Sequence, residues 1–204
     1  MSTVDDDQIE QLRRLWDRYG RLLSVVVVIG LVVFGGRYLY DKHEQRQAIE
    51  AAALYANFQK PAAGQTTAAI ADQLRDKYPR SSYATFVSLI EARDAALANK
   101  PDVAEQRLRW VVEHARESAD RALARLRLAR LLLDQGKAPA AAEALDKDVP
   151  PTSPSLLELR ADIAQAQGKP DDARQGYQEA LAALPADSAQ ATLVKLKLDA
   201  LGQP

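Results

Sequence analysis

The feature that most constrains this chain is one uncharged apolar run, Leu22 to Gly36, between a charged N-terminal tail and a long polar remainder. As a helix this run rises only about 22 Å, but the aromatic segment Tyr38 to Tyr40, with Arg37 snorkelling, extends the rise to about 28 Å. That length approaches the ~30 Å hydrocarbon core of a bilayer. The sequence therefore predicts one membrane-spanning helix over residues 22–40, with aromatic side chains near both ends at the headgroup layer.

Two alternative interpretations of the run are a cleaved signal peptide and a buried core helix. A signal peptide needs a small-x-small cleavage site, and the best match here is the poor triplet Val33-Phe34-Gly35 followed by bulky and charged residues. A core helix at one end of a chain is expected to be amphipathic, whereas this run is apolar on all sides. Both alternatives fit the sequence less well than an anchor.

Composition limits the function classes that the rest of the chain can serve. A formal net charge of −1 gives no concentrated basic face of the kind that nucleic-acid binding requires. The absence of cysteine excludes disulfides, thiolate nucleophiles and cysteine–zinc sites. No phosphate-binding loop, nucleophile elbow or zinc motif is present, so no cofactor or metal is expected.

The segment after the run is rich in alanine and leucine, with glycine and proline confined mostly to a few positions, which predicts an all-α domain. We divide the chain into a tail (1–21), a transmembrane helix (22–40) and a helical domain (41–204) that begins with a stalk helix at about 41–60. Short connectors predict antiparallel helical hairpins. The expected helices lie near Thr66–Tyr78, Ser82–Ala98, Asp102–Ala115, Asp120–Gln135, Ala138–Asp146, Ser155–Gln167, Asp171–Leu184 and Ser188–Leu201.

A repeat of about 34 residues indicates tetratricopeptide-like hairpins stacked as an α-solenoid. Pro154 to Pro185 has a turn at Gly168, and the preceding repeat has its turn at Gly136, 32 residues earlier. Ser82 to Ala115 is a degenerate third repeat, and a partial one surrounds Ala51 to Tyr78. The residues predicted to pack within and between the hairpins are Ala141, Leu145, Ala173, Tyr177 and Ala180.

The repeat is imperfect, so an ordinary antiparallel helical array with alanine at its crossings remains an alternative. Arg160 stands where the motif usually has leucine, and Ala161 replaces the usual glycine. The last helix is expected to cap the final hairpin with a stripe of apolar residues at helical spacing. This stripe consists of Ala189, Leu193, Leu196 and Ala200.

The first helix of each hairpin lines the concave side of such a stack, where peptides or partner helices can lie. Projection of the repeat onto the sequence gives three residues from each of three helices, although the leucines among them can equally pack between hairpins. The predicted groove residues are Phe86, Leu89, Arg93, Leu123, Leu126, Arg130, Glu158, Asp162 and Gln165.

Side chains that could carry catalysis are few and isolated. His43 and His114 have no second ligand at helical spacing, which argues against a metal site at either. Glu91 and Asp94 share a helix face with Arg93, a pattern more typical of a solvated surface than of a general acid/base pair. We therefore expect a domain that is not an enzyme.

Four segments together resemble one family, the YfgM-like ancillary subunits of the bacterial Sec translocon. These segments are Trp16–Tyr40, Lys77–Ala84, Glu158–Leu181 and Lys197–Leu201. The resemblance implies an inner-membrane protein with a cytoplasmic N-terminus and a periplasmic repeat domain. It also implies association with the SecYEG translocon and with the membrane-anchored chaperone PpiD, in support of proteins emerging from the channel. It implies no catalytic residue.

Two functional classes remain open at this stage. One is a translocon-associated adaptor or chaperone-like subunit that binds partners or emerging clients in the groove. The other is a membrane-anchored repeat scaffold for a different cell-envelope assembly. The charges beside the run are too balanced to decide the orientation, with four arginines before it and Arg37, Lys42 and Arg46 after it. The oligomeric state is equally open.

Overall fold

The structure, a computed structural model, describes residues 3–145 and 148–202. Within these ranges the chain is all-helical and contains no strand, as the sequence predicts. The helices are α1 (Thr3–Gln59), α2 (Thr67–Lys77), α3 (Ser82–Leu97), α4 (Pro101–His114), α5 (Ser118–Asp134), α6 (Ala138–Ala144), α7 (Pro154–Ala166), α8 (Pro170–Ala182) and α9 (Ala189–Ala200).

Helix α1 contains the apolar run. Among the described residues, one segment is long and apolar enough to cross a membrane by length and composition, and it extends from Ser24 to Gln59. The chain divides into two compact units, Met1–Glu50 and Ala51–Pro204. In the second unit, the last turns of α1 pack through Ala51, Leu54 and Tyr55 into a core with α2 and α3. The segment predicted as a stalk thus ends inside the helical domain.

Local sequence signals account for the ends of the helices. The hydroxyls of Thr66, Ser81 and Ser188 accept hydrogen bonds from the third backbone N–H beyond them, at 3.1–3.2 Å, and so cap α2, α3 and α9. Proline occupies the first or second position of α4, α6, α7 and α8, where a missing N–H costs nothing. The bounds of α2 to α9 agree with the predicted ones to within two residues wherever both are described. The predicted end of α6 at Asp146 lies outside the described residues.

The turns within three successive hairpins share one conformation. Asn99, Gly136 and Gly168, which follow α3, α5 and α7, have φ of 54°, 74° and 73°. After each of them a lysine N–H bonds back to a carbonyl five residues earlier, at 2.8–2.9 Å, which is the bond that closes a Schellman motif. Asn99 therefore marks the turn of the degenerate third repeat.

We expect Gly168→Ala to lower the free energy of unfolding by about 1 kcal/mol, because an L-residue with a side chain is strained at this φ. Open space surrounds the position, so the loss reports backbone conformation alone. Urea titration of the full chain followed by circular dichroism measures it. Asn99→Gly is the matched control and should leave stability unchanged or raise it. A Gly168→Ala variant as stable as the wild type would contradict this explanation.

The helices pack in chain order, as expected of an α-solenoid. Helix α4 packs on α3 and α5, and α5 packs on α6 and also on α7, the first helix of the next hairpin. The largest core extends from α3 to α7 and includes Leu108, Leu128, Leu132, Leu156 and Leu159. A smaller core joins α7, α8 and α9.

All five residues predicted as repeat packing are buried, in positions that differ between the hairpins. Ala141 and Leu145 lie in the large core, whereas Ala173, Tyr177 and Ala180 lie in the core of α7 to α9. Where α7 meets α8, a Cβ built on Gly176 would come within 3.0 Å of Ala161 Cβ. The sequence motif points to Ala161 but not to Gly176. The close approach of the two helices at this pair is the reason that both residues are small.

Helix α9 packs on the final hairpin, but through a different face from the predicted one. Ala191 and Val194 are buried, and Leu198 and Leu201 pack beside them. All four residues of the predicted capping stripe are exposed, including Leu193 and Leu196. The rotation of α9 follows from polar contacts with α7 that are described below.

Candidate partner groove

A groove of about 530 Å³ opens between α3, α4, α5 and α7. This volume is typical of a ligand-binding cleft. Its longest wall is α5, because Leu123, Leu126, Arg130 and Asp134 recur at helical spacing on one face of that helix. The full lining consists of Ala92, Arg93, Ala96, Ala104, Leu108, Leu123, Leu126, Arg127, Arg130, Leu131, Asp134, Ser155 and Leu159.

Four of the nine predicted groove residues line this cleft together. They are Arg93 on α3 and Leu123, Leu126 and Arg130 on α5. Leu89 is buried in the large core beneath them, with 9% of its surface exposed. Phe86 is 43% exposed on α3 but does not line the cleft.

The residues predicted from α7 differ from those that line the groove. Ser155 and Leu159 face the cleft, whereas Glu158 is buried between helices. Adjacent residues on a helix point about 100° apart, so a projection in error by one position selects the wrong face. Gln165 is exposed at the end of α7, where its Oε1 lies 2.9 Å from the Tyr177 hydroxyl.

The rim of the groove carries more positive than negative groups, since Arg93, Arg127 and Arg130 line it with a single carboxylate, Asp134. Arg93 bonds to its exposed neighbour Asp94, at 2.8–3.0 Å. Arg127 forms no ion pair within residues 3–145 and 148–202. The sequence projection missed Arg127, although it lies four residues after Leu123 and three before Arg130, a spacing that places it on the same face of α5.

Glu158 and Asp162 belong to a polar cluster that joins α7 to α9. Lys197 Nζ lies 2.7 Å from Glu158 Oε1 and 2.8 Å from both carboxylate oxygens of Asp162. Gln190 Nε2 donates to Glu158 Oε2 at 2.9 Å, and Arg130 approaches the two carboxylates at 3.8 and 3.5 Å. These contacts orient α9, which explains why Ala191 and Val194, and not the apolar stripe, face the hairpin.

The Glu158 carboxylate remains ionised in this buried position. Burial by itself would raise the pKa of Glu158, but hydrogen bonds from Lys197 and Gln190 and the charges of Lys197 and Arg130 outweigh it. The pKa therefore lies below its ordinary value of 4.5. Glu158 is thus engaged in holding α9 and does not offer its charge to a partner in the groove.

Tyr177 connects the same cluster to the core of α7 to α9. Its ring is fully buried, and its hydroxyl donates to Asp162 Oδ1 at 2.7 Å. Burial and the bond to Asp162 raise the pKa of the Tyr177 phenol, so it stays protonated and continues to donate.

The isolated side chains considered for chemistry all have structural partners. Glu91 bonds to Arg75 and lies 3.0 Å from Arg107, in an ion-pair cluster that joins α2, α3 and α4. The His114 ring stacks on Trp110 with centroids 4.6 Å apart, and its Nδ1 lies 3.0 Å from the Trp110 carbonyl oxygen. His43 Nε2 lies 2.9 Å from the side chain of Gln47. Within the described ranges, no group of three or more histidine, aspartate or glutamate side chains is placed to hold a metal ion.

The stacked helical hairpins and the groove between them define this chain as a helical-repeat protein. Residues 13–203 match the family model for the tetratricopeptide repeat-like domain. No solved structure matches the chain.

A relative adds a more particular assignment. The chain is 32% identical, over 202 residues, to the ancillary SecYEG translocon subunit of Neisseria gonorrhoeae (strain ATCC 700825 / FA 1090), with 97% of each chain covered. The chain therefore belongs to the tetratricopeptide repeat-like family of ancillary SecYEG translocon subunits.

Proposed function

We propose that this chain is a non-catalytic, membrane-anchored adaptor of the Sec translocon that binds protein partners in the groove between α3, α4, α5 and α7. The observation that carries the proposal is this groove, in which Leu123 is exposed and Leu126 and Leu131 are partly exposed, in a member of a translocon-subunit family. Exposed apolar surface of this kind marks polypeptide-binding sites.

In the proposed arrangement residues 22–40 span the inner membrane, residues 1–21 lie in the cytoplasm and the repeat domain lies in the periplasm. The apolar segment from Ser24 supports a single span. The partners we propose are SecYEG and a PpiD-type periplasmic chaperone. Client chains that emerge from the translocon are further proposed partners. An adaptor with such partners is a chaperone-like component of protein transport.

We expect Leu123→Glu to reduce the amount of SecY that copurifies with the full-length chain from detergent-solubilised membranes by about tenfold or more. Leu123 is 38% exposed in the groove, and a buried charge there would oppose an apolar partner by more than the ~1.4 kcal/mol that a tenfold loss requires. Leu97→Glu is the matched control, because Leu97 is 81% exposed on the same protein and lies outside the groove lining.

Circular dichroism of both variants checks that they remain folded. Equal recovery of SecY with Leu123→Glu, Leu97→Glu and the wild type would refute the groove as the site of translocon binding. Recovery of cell-wall or outer-membrane machinery in place of SecY, from the wild type as well, would favour the scaffold for another envelope assembly.

A further inference from the structure

The floor of the groove is apolar. Its lining comprises the exposed Leu123, the partly exposed Leu126 and Leu131, and, deeper, the buried Leu108 and Leu159, together with alanines of α3 and α4. A segment that buries one medium-sized apolar side chain here gains about 1.5–3 kcal/mol. An amphipathic stretch of polypeptide satisfies this floor, whereas a chain with charges on every face does not.

The rim of the groove is rich in arginine. Three arginines, Arg93, Arg127 and Arg130, line the groove together with one acidic residue, Asp134. Arginine pairs with carboxylates through two parallel hydrogen bonds, which gives specificity as well as attraction. Like charges placed against this rim would be repelled, and such repulsion excludes wrong partners.

The guanidinium groups are available to an occupant to different degrees. Arg127 is exposed and has no ion-pair partner among the residues that the structure describes. Arg93 is exposed and pairs with its exposed neighbour Asp94. Arg130 is 45% exposed and lies farther from Glu158 and Asp162 than Lys197 does. Lys197 is the closer cation to both carboxylates, and the guanidinium of Arg130 remains accessible from the groove.

We propose that the groove binds an acidic amphipathic segment of a partner protein, with its apolar side chains on the leucine floor and its carboxylates against Arg127, Arg93 and Arg130. This inference rests on the proposed function, since it names the chemistry of the polypeptide that the groove accepts. Arg127 is the principal determinant of charge selection, because it lines the groove and has no counter-ion among the residues that the structure describes.

The test compares two labelled peptides of equal length that carry leucine at i, i+3, i+4 and i+7 and either glutamate or lysine at the remaining positions. Binding to the full-length chain in nanodiscs of phosphatidylcholine, which carry no net charge, is measured by fluorescence polarisation. We expect the glutamate peptide to bind at least about tenfold more tightly than the lysine peptide at low salt. The ratio should fall as added salt screens the rim.

Arg127→Glu should abolish this preference, whereas Arg160→Glu should retain it. Arg160 is an exposed arginine of α7 outside the groove lining and is the matched control. Equal affinities of the two peptides, or a preference that survives Arg127→Glu, would overturn the inference.

Absence of binding by both peptides would also overturn the inference. The copurification of SecY with Leu123→Glu decides the proposed function separately. If Leu123→Glu reduces SecY recovery but the two peptides bind equally well, the proposed function stands and only the charge selection is refuted.

Discussion

Tyr177→Ala is expected to lower the free energy of unfolding by about 4 kcal/mol, within the range measured for truncation of a buried aromatic ring to alanine. The ring is fully buried in the core that joins α7, α8 and α9, against alanines whose small side chains cannot fill the space it leaves. Its hydroxyl also donates to Asp162, so the substitution removes a bond to a partly buried carboxylate. The midpoint of thermal unfolding should fall by roughly 8–16 °C in a domain of this size.

Tyr177→Phe separates packing from hydrogen bonding. The ring stays in place, and Asp162 keeps Lys197 as a partner at 2.8 Å, so the expected loss is about 1 kcal/mol. Circular dichroism melts of the wild type and both variants in one detergent make the comparison. Equal losses for the two variants would show that the hydroxyl, and not the packed ring, stabilises this part of the stack.

Lys197→Met is expected to lower the free energy of unfolding by about 3 kcal/mol, the second-largest effect among these variants. The change leaves the carboxylates of Glu158 and Asp162, which are 5% and 11% exposed, with the more distant Arg130 as their remaining cation. A buried carboxylate without a close counter-ion costs several kcal/mol. Protection of α9 from hydrogen exchange should fall more than that of α5, since Lys197 lies on α9.

Lys195→Met is the matched control, because Lys195 is exposed on the same helix two residues away. Its loss of charge should change the free energy of unfolding by less than about 0.5 kcal/mol. Similar losses for Lys195→Met and Lys197→Met would mean that helix charge, and not the cluster, accounts for the effect.

The effect of Lys197→Met should also depend on pH. Folding lowers the pKa of Glu158, so its contribution is fully present above the ordinary value of 4.5 and is lost as the pH falls through the lower, folded-state value. We therefore expect the difference between the wild type and Lys197→Met to be largest near neutral pH and to shrink below about pH 4.5. A difference that stays constant down to pH 3 would contradict the assignment to Glu158.

The sequence predicted the helices well because their ends depend on local chemistry. Serine and threonine caps, prolines at the first helical turn and the glycines at 136 and 168 each act on their own backbone, so chain neighbours suffice to locate them. The same holds for the α5 wall of the groove, where Leu123, Leu126 and Arg130 follow one face at regular spacing.

The choice of face on α7 and α9 could not be predicted in the same way, because each helix carries apolar residues on more than one side. On α9, Leu193 and Leu196 form as regular a stripe as Ala191 and Val194, yet only the second pair is buried. On α7, Glu158 looks like a surface residue by type, and its burial depends on Lys197, which lies 39 residues later in the chain.

The sequence alone thus determined that this chain is an α-solenoid with an apolar N-terminal helix, and it located the ends of the helices of the stack to within two residues wherever both are described. Tertiary structure alone decided the rotation of α7 and α9, and with it which residues of α7 line the groove and which are buried against α9. The physical reason is that capping and turn formation involve residues a few positions apart, whereas the burial of an ion pair requires a partner that only packing brings within 3 Å.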